Sequence, residues 1–242
     1  MSATLSKTQI DRLGDRLREG SPSEADLRLL DEYRRSFGEV YETVVGIIRD
    51  QLKLEPTGRP AKSTSSLIEK LHRESIRLSQ VQDIAGCRIV VADPADQERV
   101  VVSLRSLFPN ASVVDRRIKP SYGYRAVHII PQISEKLIEI QLRTLLQNVW
   151  AELSEKLSDV VDSAIKYGGG QEAIKEMLIV TSETVAEFEL TEIRVARISN
   201  ELIQARPELR EVRENIFQLR DKLTDQFNQA IAQVDTQKAQ KR

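Results

Sequence analysis

Hydrophobic spacing divides the chain into three stretches. Up to about Leu54 the apolar positions recur with a helical period: Leu30, Tyr33, Phe37, Val40, Val44 and Ile48 follow one another at intervals of three and four. Ser21-Pro22-Ser23-Glu24 has capping-box form with Pro at the first helical position, so a helix is predicted to start there. Beyond it the period changes. GCRIVVAD is a near-continuous apolar run, the pattern of a strand covered on both faces. Asp93-Pro94 predicts a helix reaching about Leu107, followed by a strand near 111–117. YRAVHIIP and KLIEIQLRT read as two strands joined by the short QISE, a hairpin, and helix 145–157 is expected to pack back on the sheet. After KYGGG the helical period returns. Ile174, Leu178, Val185, Phe188, Val195, Ile198 and Leu202 mark one helix, which Pro207 breaks or kinks.

The predicted organisation is α+β: a helical segment over 1–54, a core with a mixed sheet over 55–170, and a helical extension over 171–242. The last helix carries Leu209, Val212, Ile216, Leu219 and Leu223, continued by Phe227 and Ile231. This stripe must be covered by its own domain, by a second copy, or by a different protein such as an antitoxin. Pro207 sets the helix apart and its outer positions are densely charged, which favours a homo-oligomer seam.

Composition changes the picture mainly by exclusion. The chain has 242 residues, 40% apolar and 30% charged, with a net charge of −1, so no global field advertises nucleic acid or anionic lipid. Any basic site must be local. No apolar run approaches membrane-spanning length and the N-terminus lacks a signal-peptide pattern, so a cytoplasmic protein is expected. The single Cys87 lies in an apolar run and reads as a buried, inert thiol. There is no GxxxxGK[ST] and no nucleophile-elbow GxSxG, and His72 and His128 are the only histidines, without zinc spacing.

What remains is carboxylates, cations and a Tyr-His pair. In GRPAKSTSSLIEKLHRESIR, Ser66 and Glu69 fit a capping box, predicting a helix that starts near Ser66. On it Ser66, Lys70, Arg73 and Arg77 form one stripe opposite Leu67 and Leu71, with Arg59, Lys62 and Ser63 just upstream. A helix N-terminus with hydroxyls and flanking cations is a ready phosphate cradle, although a solvated helix face also carries such stripes. Asp83 precedes Gly86 and the strand bearing Arg88. On KLIEIQLRT, Ile138, Ile140 and Leu142 take one face, and Glu139, Gln141 and Arg143 the other. Glu is a poor strand former, so its place there asks for a reason. If the two strands are neighbours, Asp83 and Glu139 can share one Mg²⁺. In PSYGYRAVH, Tyr124, Ala126 and His128 are predicted on one strand face, with Tyr124 a stacking surface for a base. Arg116, Arg117 and Lys119 lie beside it.

Four segments in one order, GRPAKSTSSLIEKL, QDIAGCRIVV, YGYRAVH and EIQLRT followed by WA, resemble the synthetase domain of the RelA/SpoT alarmone family. The resemblance runs from about Gly58 to Ala151 and is to the compact single-domain branch. It implies a nucleotidyltransferase-like mixed sheet and transfer of the β,γ-diphosphate of ATP to the 3′-hydroxyl of an acceptor nucleotide. By matching position, Arg59 would stack on adenine, and Lys62, Ser66, Lys70, Arg73 and Arg88 would hold ATP phosphates. Asp83 and Glu139 would be the acidic pair at Mg²⁺, with Glu139 the base. Lys119, Tyr124, His128, Gln141 and Arg143 would face the acceptor. The compact branch also includes toxins that modify the 3′-CCA end of tRNA, and a catalytically inactive nucleotide-binding regulator is a further alternative. A guanosine nucleotide is favoured as the commoner acceptor. Two departures stand out: Ala126 replaces the family's common Ser, and ELSEKL after WA lacks a His found in many members. There is no His-Asp dipeptide, so degradation of the product is not expected.

Overall fold

The computed structural model describes residues 5–20, 22–198 and 200–240, with the side chains of Arg59, Asn200, Glu201, Ala205 and Gln240 outside the description. Helices α1 (Lys7–Arg18), α2 (Glu24–Arg35) and α3 (Gly38–Leu52) precede strand β1 (Thr57–Arg59) and helix α4 (Thr64–Arg73). Strand β2 (Ala85–Val91), helix α5 (Pro94–Leu107) and strands β3 (Ser112–Asp115), β4 (Val127–Ile130), β5 (Gln132–Ile133) and β6 (Lys136–Thr144) follow. Helices α6 (Leu145–Val160), α7 (Glu172–Ala196), α8 (Asn200–Ala205) and α9 (Pro207–Gln240) complete the described chain.

The strands form a mixed six-stranded sheet ordered β1-β2-β6-β4-β3, with β5 paired antiparallel to β6. The α+β expectation is met. β6 is the element that the alternating pattern located best. Ile138, Ile140 and Leu142 are fully buried, while Glu139 and Gln141 are half-buried. Arg143 departs from the alternation and is itself buried. The β5–β6 hairpin turns through Ser134 and Glu135, both with positive φ, as a two-residue turn matched to strand twist requires.

Contacts divide the chain into two compact units. The first combines residues up to Ile89 with Ser103–Val113 and His128–Gln141. In it α1, α2 and α4 pack on one another through Leu13, Leu17, Leu30, Leu67 and Leu71, all fully buried. The six apolar positions from Leu30 to Ile48 are buried as the spacing required, on two helices with Phe37 as the cap between them. Ser21, where a cap was expected, lies outside the described residues. Ser23 caps α2 and forms the box with Asp26, which leaves Pro22 before the cap.

The second unit combines Val90–Val102, Val114–Val127 and Leu142 onward. Here α6 packs against α7 and α9, around Trp150, Ala151, Ile165 and Leu178, with Phe227 of α9 against that cluster. The expected long helix is interrupted: α7 ends at Ala196 and Leu202 falls on α8. Pro207 opens α9, where its missing N–H costs nothing. The α9 stripe is shared. Leu209, Ile216, Leu223 and Phe227 are half-buried within the chain, and Val212 and Leu219 are exposed. The C-terminal helix therefore docks in part on its own chain, against α6 and α8, while two positions of the stripe that favoured a homo-oligomer seam stay exposed. Lys156 pairs with Asp235 at 2.7 Å and Arg220 with Glu192 at 3.2 Å, fixing it to α6 and α7.

Candidate active site

Lys62 and Lys70 converge on one carboxylate in the first unit. Lys62 Nζ lies 2.6 Å from Asp83 Oδ2, and Lys70 Nζ lies 2.8 Å from Asp83 Oδ1. Burial pushes the Asp83 carboxyl up, but the two ammoniums outweigh it and hold it at about 2. The local sequence builds this pairing. Ser63, not Ser66, caps α4, its hydroxyl accepting from the Ser66 amide, so the helix starts earlier than the Ser66–Glu69 box predicted. Ser66 thus sits in the first turn and accepts a hydrogen bond from Ser63 Oγ at 2.7 Å. Lys70 and Arg73 occupy the last turn, near the negative end of the helix dipole. The helix stops at Arg73, so Arg77 is not on the stripe; it lies just before a 3₁₀ turn at Leu78–Gln80. Arg34 of α2, which the sequence did not single out, donates to the Lys62 carbonyl and to Thr64 Oγ1, pinning the loop to the helix start.

A second carboxylate lies nearby in the same unit. Glu139 Oε1 is 2.9 Å from His128 Nδ1, and Glu139 Oε2 accepts from Gln141 Nε2 at 2.7 Å. Burial pushes Glu139 up, yet the hydrogen bond and charge of His128, with the Gln141 amide, bring it below the ordinary range. Asp83 acts on it as a like charge. Gly86 makes the close approach of β2 to β6 possible: a Cβ there would sit 2.7 Å from the Glu139 carbonyl oxygen. It would also meet Glu139 Cβ at 3.4 Å, so Gly86 and Glu139 share a sheet face, as does Arg88 two residues on. Cys87, on the opposite face, is buried, and burial lifts its thiol to about 12. The burial is as its apolar run implied. Arg59 lies on β1, and its side chain is outside the described residues.

In the second unit Tyr124 and Arg143 meet. The guanidinium lies over the Tyr124 ring, 5.0 Å from its centroid, and Arg143 Nη2 donates to the phenolic oxygen at 3.1 Å. Tyr124 precedes β4 rather than lying on it. It closes a turn with Ser121, in which Gly123 takes a φ of +87°. The Trp150 ring packs under that turn: a Cβ on Gly123 would meet Trp150 Cζ2 at 2.7 Å. Trp150 Nε1 is in turn anchored on the Leu178 carbonyl at 3.0 Å. Lys119 is exposed on the loop before the turn. Arg117 is taken up by its own chain, 2.6 Å from Asp115 and 3.2 Å from Glu98.

The chain is similar to known proteins. The description "Region found in RelA / SpoT proteins" fits residues 58–158. The GTP pyrophosphokinase YjbM of Bacillus subtilis is 34% identical over 156 residues, covering 57% of this chain and 70% of its own. The chain belongs to the RelA/SpoT family. An uncharacterized protein of Mycobacterium tuberculosis is 35% identical over 173 residues, 67% of this chain. The match spans 62% of that relative's length. Among solved structures, the small alarmone synthetase 1 of Bacillus subtilis superimposes with a TM-score of 0.50 at 30% identity, covering 71% of this chain and 97% of that one. The same enzyme bound to its product pppGpp gives 0.51 at 26% identity, with the same coverage.

Family membership makes a metal question concrete. Among the described residues no group of three or more His, Cys, Asp and Glu converges as a cage. A pair of carboxylates suits Mg²⁺, which is commonly held by one or two carboxylates and completed by water and phosphate oxygens. Asp83 and Glu139 are carboxylates of that kind: the surroundings of each lower its pKa, and Asp83 acts on Glu139 as a like charge. No helix among the described residues is long and apolar enough to cross a membrane.

One polar network of this RelA/SpoT-family chain escaped the sequence reading. Thr144, Gln147, Gln97 and Glu189 are buried together in the second unit. Its signal was present, for Ser182, Glu189 and Glu192 fall on the same face of α7 as Leu178 and Val185.

Proposed function

We propose that this protein transfers the β,γ-diphosphate of ATP to the 3′-hydroxyl of a guanosine nucleotide, leaving AMP. The observation that carries the reading is the setting of Glu139, a half-buried carboxylate with His128 Nδ1 at 2.9 Å on one oxygen and Gln141 Nε2 at 2.7 Å on the other. These partners lower its pKa while Asp83 acts on it as a like charge, and a carboxylate so supported is poised for a proton and a cation. The relatives named above as a GTP pyrophosphokinase and as a pppGpp-bound synthetase support the same chemistry.

Lys62 and Lys70 each carry three N–H donors, so each retains donors for phosphate while paired with Asp83. With Ser66, Arg73 and Arg88 they would take the ATP phosphates, and Arg59 the adenine. Asp83 and Glu139 would hold Mg²⁺, which when bound supplies positive charge to the phosphoryl oxygens. The acceptor 3′-oxygen attacks the β-phosphorus, the bond from that phosphorus to the α,β-bridging oxygen breaks, and AMP leaves with that oxygen. The hydroxyl proton passes to Glu139. Its low proton affinity suits a loose transition state, in which the nucleophile needs little activation and positioning dominates. Tyr124 would stack on the guanine, with Lys119, His128, Gln141 and Arg143 completing the acceptor side.

The test offers γ-labelled ATP with GDP, with GTP and with deacylated tRNA. Label in a guanosine tetra- or pentaphosphate is expected. Label in tRNA alone would replace this reading with a tRNA-modifying one, and no transfer to any acceptor would leave a nucleotide-binding regulator.

A further inference from the structure

The two residues flanking Arg143 on β6 are both tied into the buried network of the second unit. On one side, Gln97 Nε2 donates to the Leu142 carbonyl at 3.0 Å and to Gln147 Oε1 at 2.8 Å. On the other, Thr144 ends the strand and caps α6, its hydroxyl accepting from the Gln147 amide at 3.1 Å. Glu189 of α7 closes the network. It accepts from the Thr144 hydroxyl and, at 2.9 Å, from Gln147 Nε2. Two turns earlier on the same face of α7, Ser182 Oγ donates to the Gly123 carbonyl and accepts from Arg125 Nε at 3.0 Å. Arg125 also donates to the Arg117 carbonyl at 2.8 Å. One helix therefore grips both the strand end that carries Arg143 and the turn that carries Tyr124.

We infer that Glu189 and Ser182 are positioning residues for the acceptor side, setting the Arg143–Tyr124 stack through β6 and the Gly123 turn. The inference rests on the acceptor role proposed for Tyr124. Both act through hydrogen bonds: a carboxamide at 189 puts a donor where Glu189 has its second acceptor oxygen, so either the Thr144 hydroxyl must turn to accept or Gln147 must lose its partner. A hydroxyl removed at 182 frees both the Gly123 carbonyl and Arg125 Nε. Burial of the network means that water does not readily replace what is lost.

The experiment compares wild type with Glu189→Gln and Ser182→Ala in the full chain, measuring KM for the guanosine nucleotide, KM for ATP, kcat and melting temperature. Each variant is expected to raise the acceptor KM about tenfold and leave the ATP KM within about twofold, the pattern of lost acceptor binding rather than lost fold. A parallel rise in both KM values, or an unchanged acceptor KM in a folded variant, overturns the inference. Amide exchange is followed in the same samples at Thr144, Gln147 and Tyr124. Should wild type transfer to no guanosine nucleotide, the functional reading fails and exchange alone decides. Faster exchange at Tyr124 in Glu189→Gln then upholds the positioning role, and exchange altered only at Thr144 and Gln147 overturns it.

Discussion

Asp83 and Glu139 in the first unit are half-buried and held toward their anions, whereas Glu189 and Glu192 in the second are buried and pushed toward their neutral forms. Desolvation opposes ionisation at all four. The difference lies in what faces them. Asp83 has an ammonium at each oxygen, and Glu139 has His128 on one oxygen and the Gln141 amide on the other. Glu189 is met by the neutral donors of Thr144 and Gln147, with Arg125 and Arg117 acting only at longer range. Glu192 has Arg220 at 3.2 Å, but Arg220 also faces Asp93, and Glu189 and Asp93 both repel Glu192. A carboxylate kept charged against burial has a use for its charge. One left under-compensated is better read as part of the scaffold, where hydrogen-bond geometry matters more than charge.

The sharpest break of that contrast is to neutralise the site acids. Asp83→Asn or Glu139→Gln should each lower kcat by about a hundredfold or more, equivalent to roughly 2.7 kcal/mol of transition-state stabilisation. The loss is to be read on protein shown folded by near-UV circular dichroism. Near wild-type transfer by either variant would remove the mechanism proposed above and the distinction with it.

A smaller effect sharpens the contrast through acid stability. The folded pKa of Asp83, about 2, lies below the unfolded value. Its contribution is thus fully present above pH about 4 and is lost as pH falls through about 2. The linkage is worth about 2 kcal/mol, since the shift is close to two units and the side chain is mostly buried. Because many carboxyls titrate in that window, the measurement is the stability difference between wild type and Asp83→Asn by urea unfolding. It should shrink as pH falls from 5 to 2. A difference independent of pH would mean that the lysines do not hold Asp83 as an anion.

The same contrast marks where sequence reading succeeds. Period-two alternation located β6 from Lys136 to Thr144 and put Glu139 and Gln141 on one face, because side-chain direction in a strand is a local property. It also put Arg143 on that wet face, yet Arg143 is buried, since Tyr124, nineteen residues away in sequence, covers its guanidinium. Periodicity carries no such information. The start of α4 was missed within KSTSS because several adjacent hydroxyls qualify as caps, and the choice falls to Ser63 where Arg34 secures Thr64. The stripe was extended to Arg77 because nothing in RESIR spells a helix stop: the chain simply turns extended at Glu74. The scaffold acids were passed over for the opposite reason. Glu189 and Glu192 were legible as polar residues on an apolar helix face, but only the fold supplies Thr144, Gln147 and Arg220 as their partners.

The smallest expected effect runs opposite in sign to that of Asp83. Burial lifts Glu192 to about 7, with Arg220 pulling it down and Glu189 and Asp93 pushing it up. Between its unfolded value and about 7, the unfolded chain has lost this proton while the folded chain keeps it, so stability falls as pH rises through that window and is flat above it. A cavity of about 220 Å³ beside Glu192, lined also by Asp93, Arg99, Arg213 and Phe217, has room for water that would screen the charge. The cost of ionisation is therefore taken as about 1 kcal/mol, below what the shift alone implies. Glu192→Gln keeps the shape and removes the titration, while Arg220 retains Asp93 at 3.6 Å. Relative to wild type, the variant should gain about 1 kcal/mol between pH 4.5 and pH 8, read as a rising difference in urea midpoints. A difference that falls over the same range would place Glu192 with Asp83 and Glu139, as an acid whose charge the fold supports.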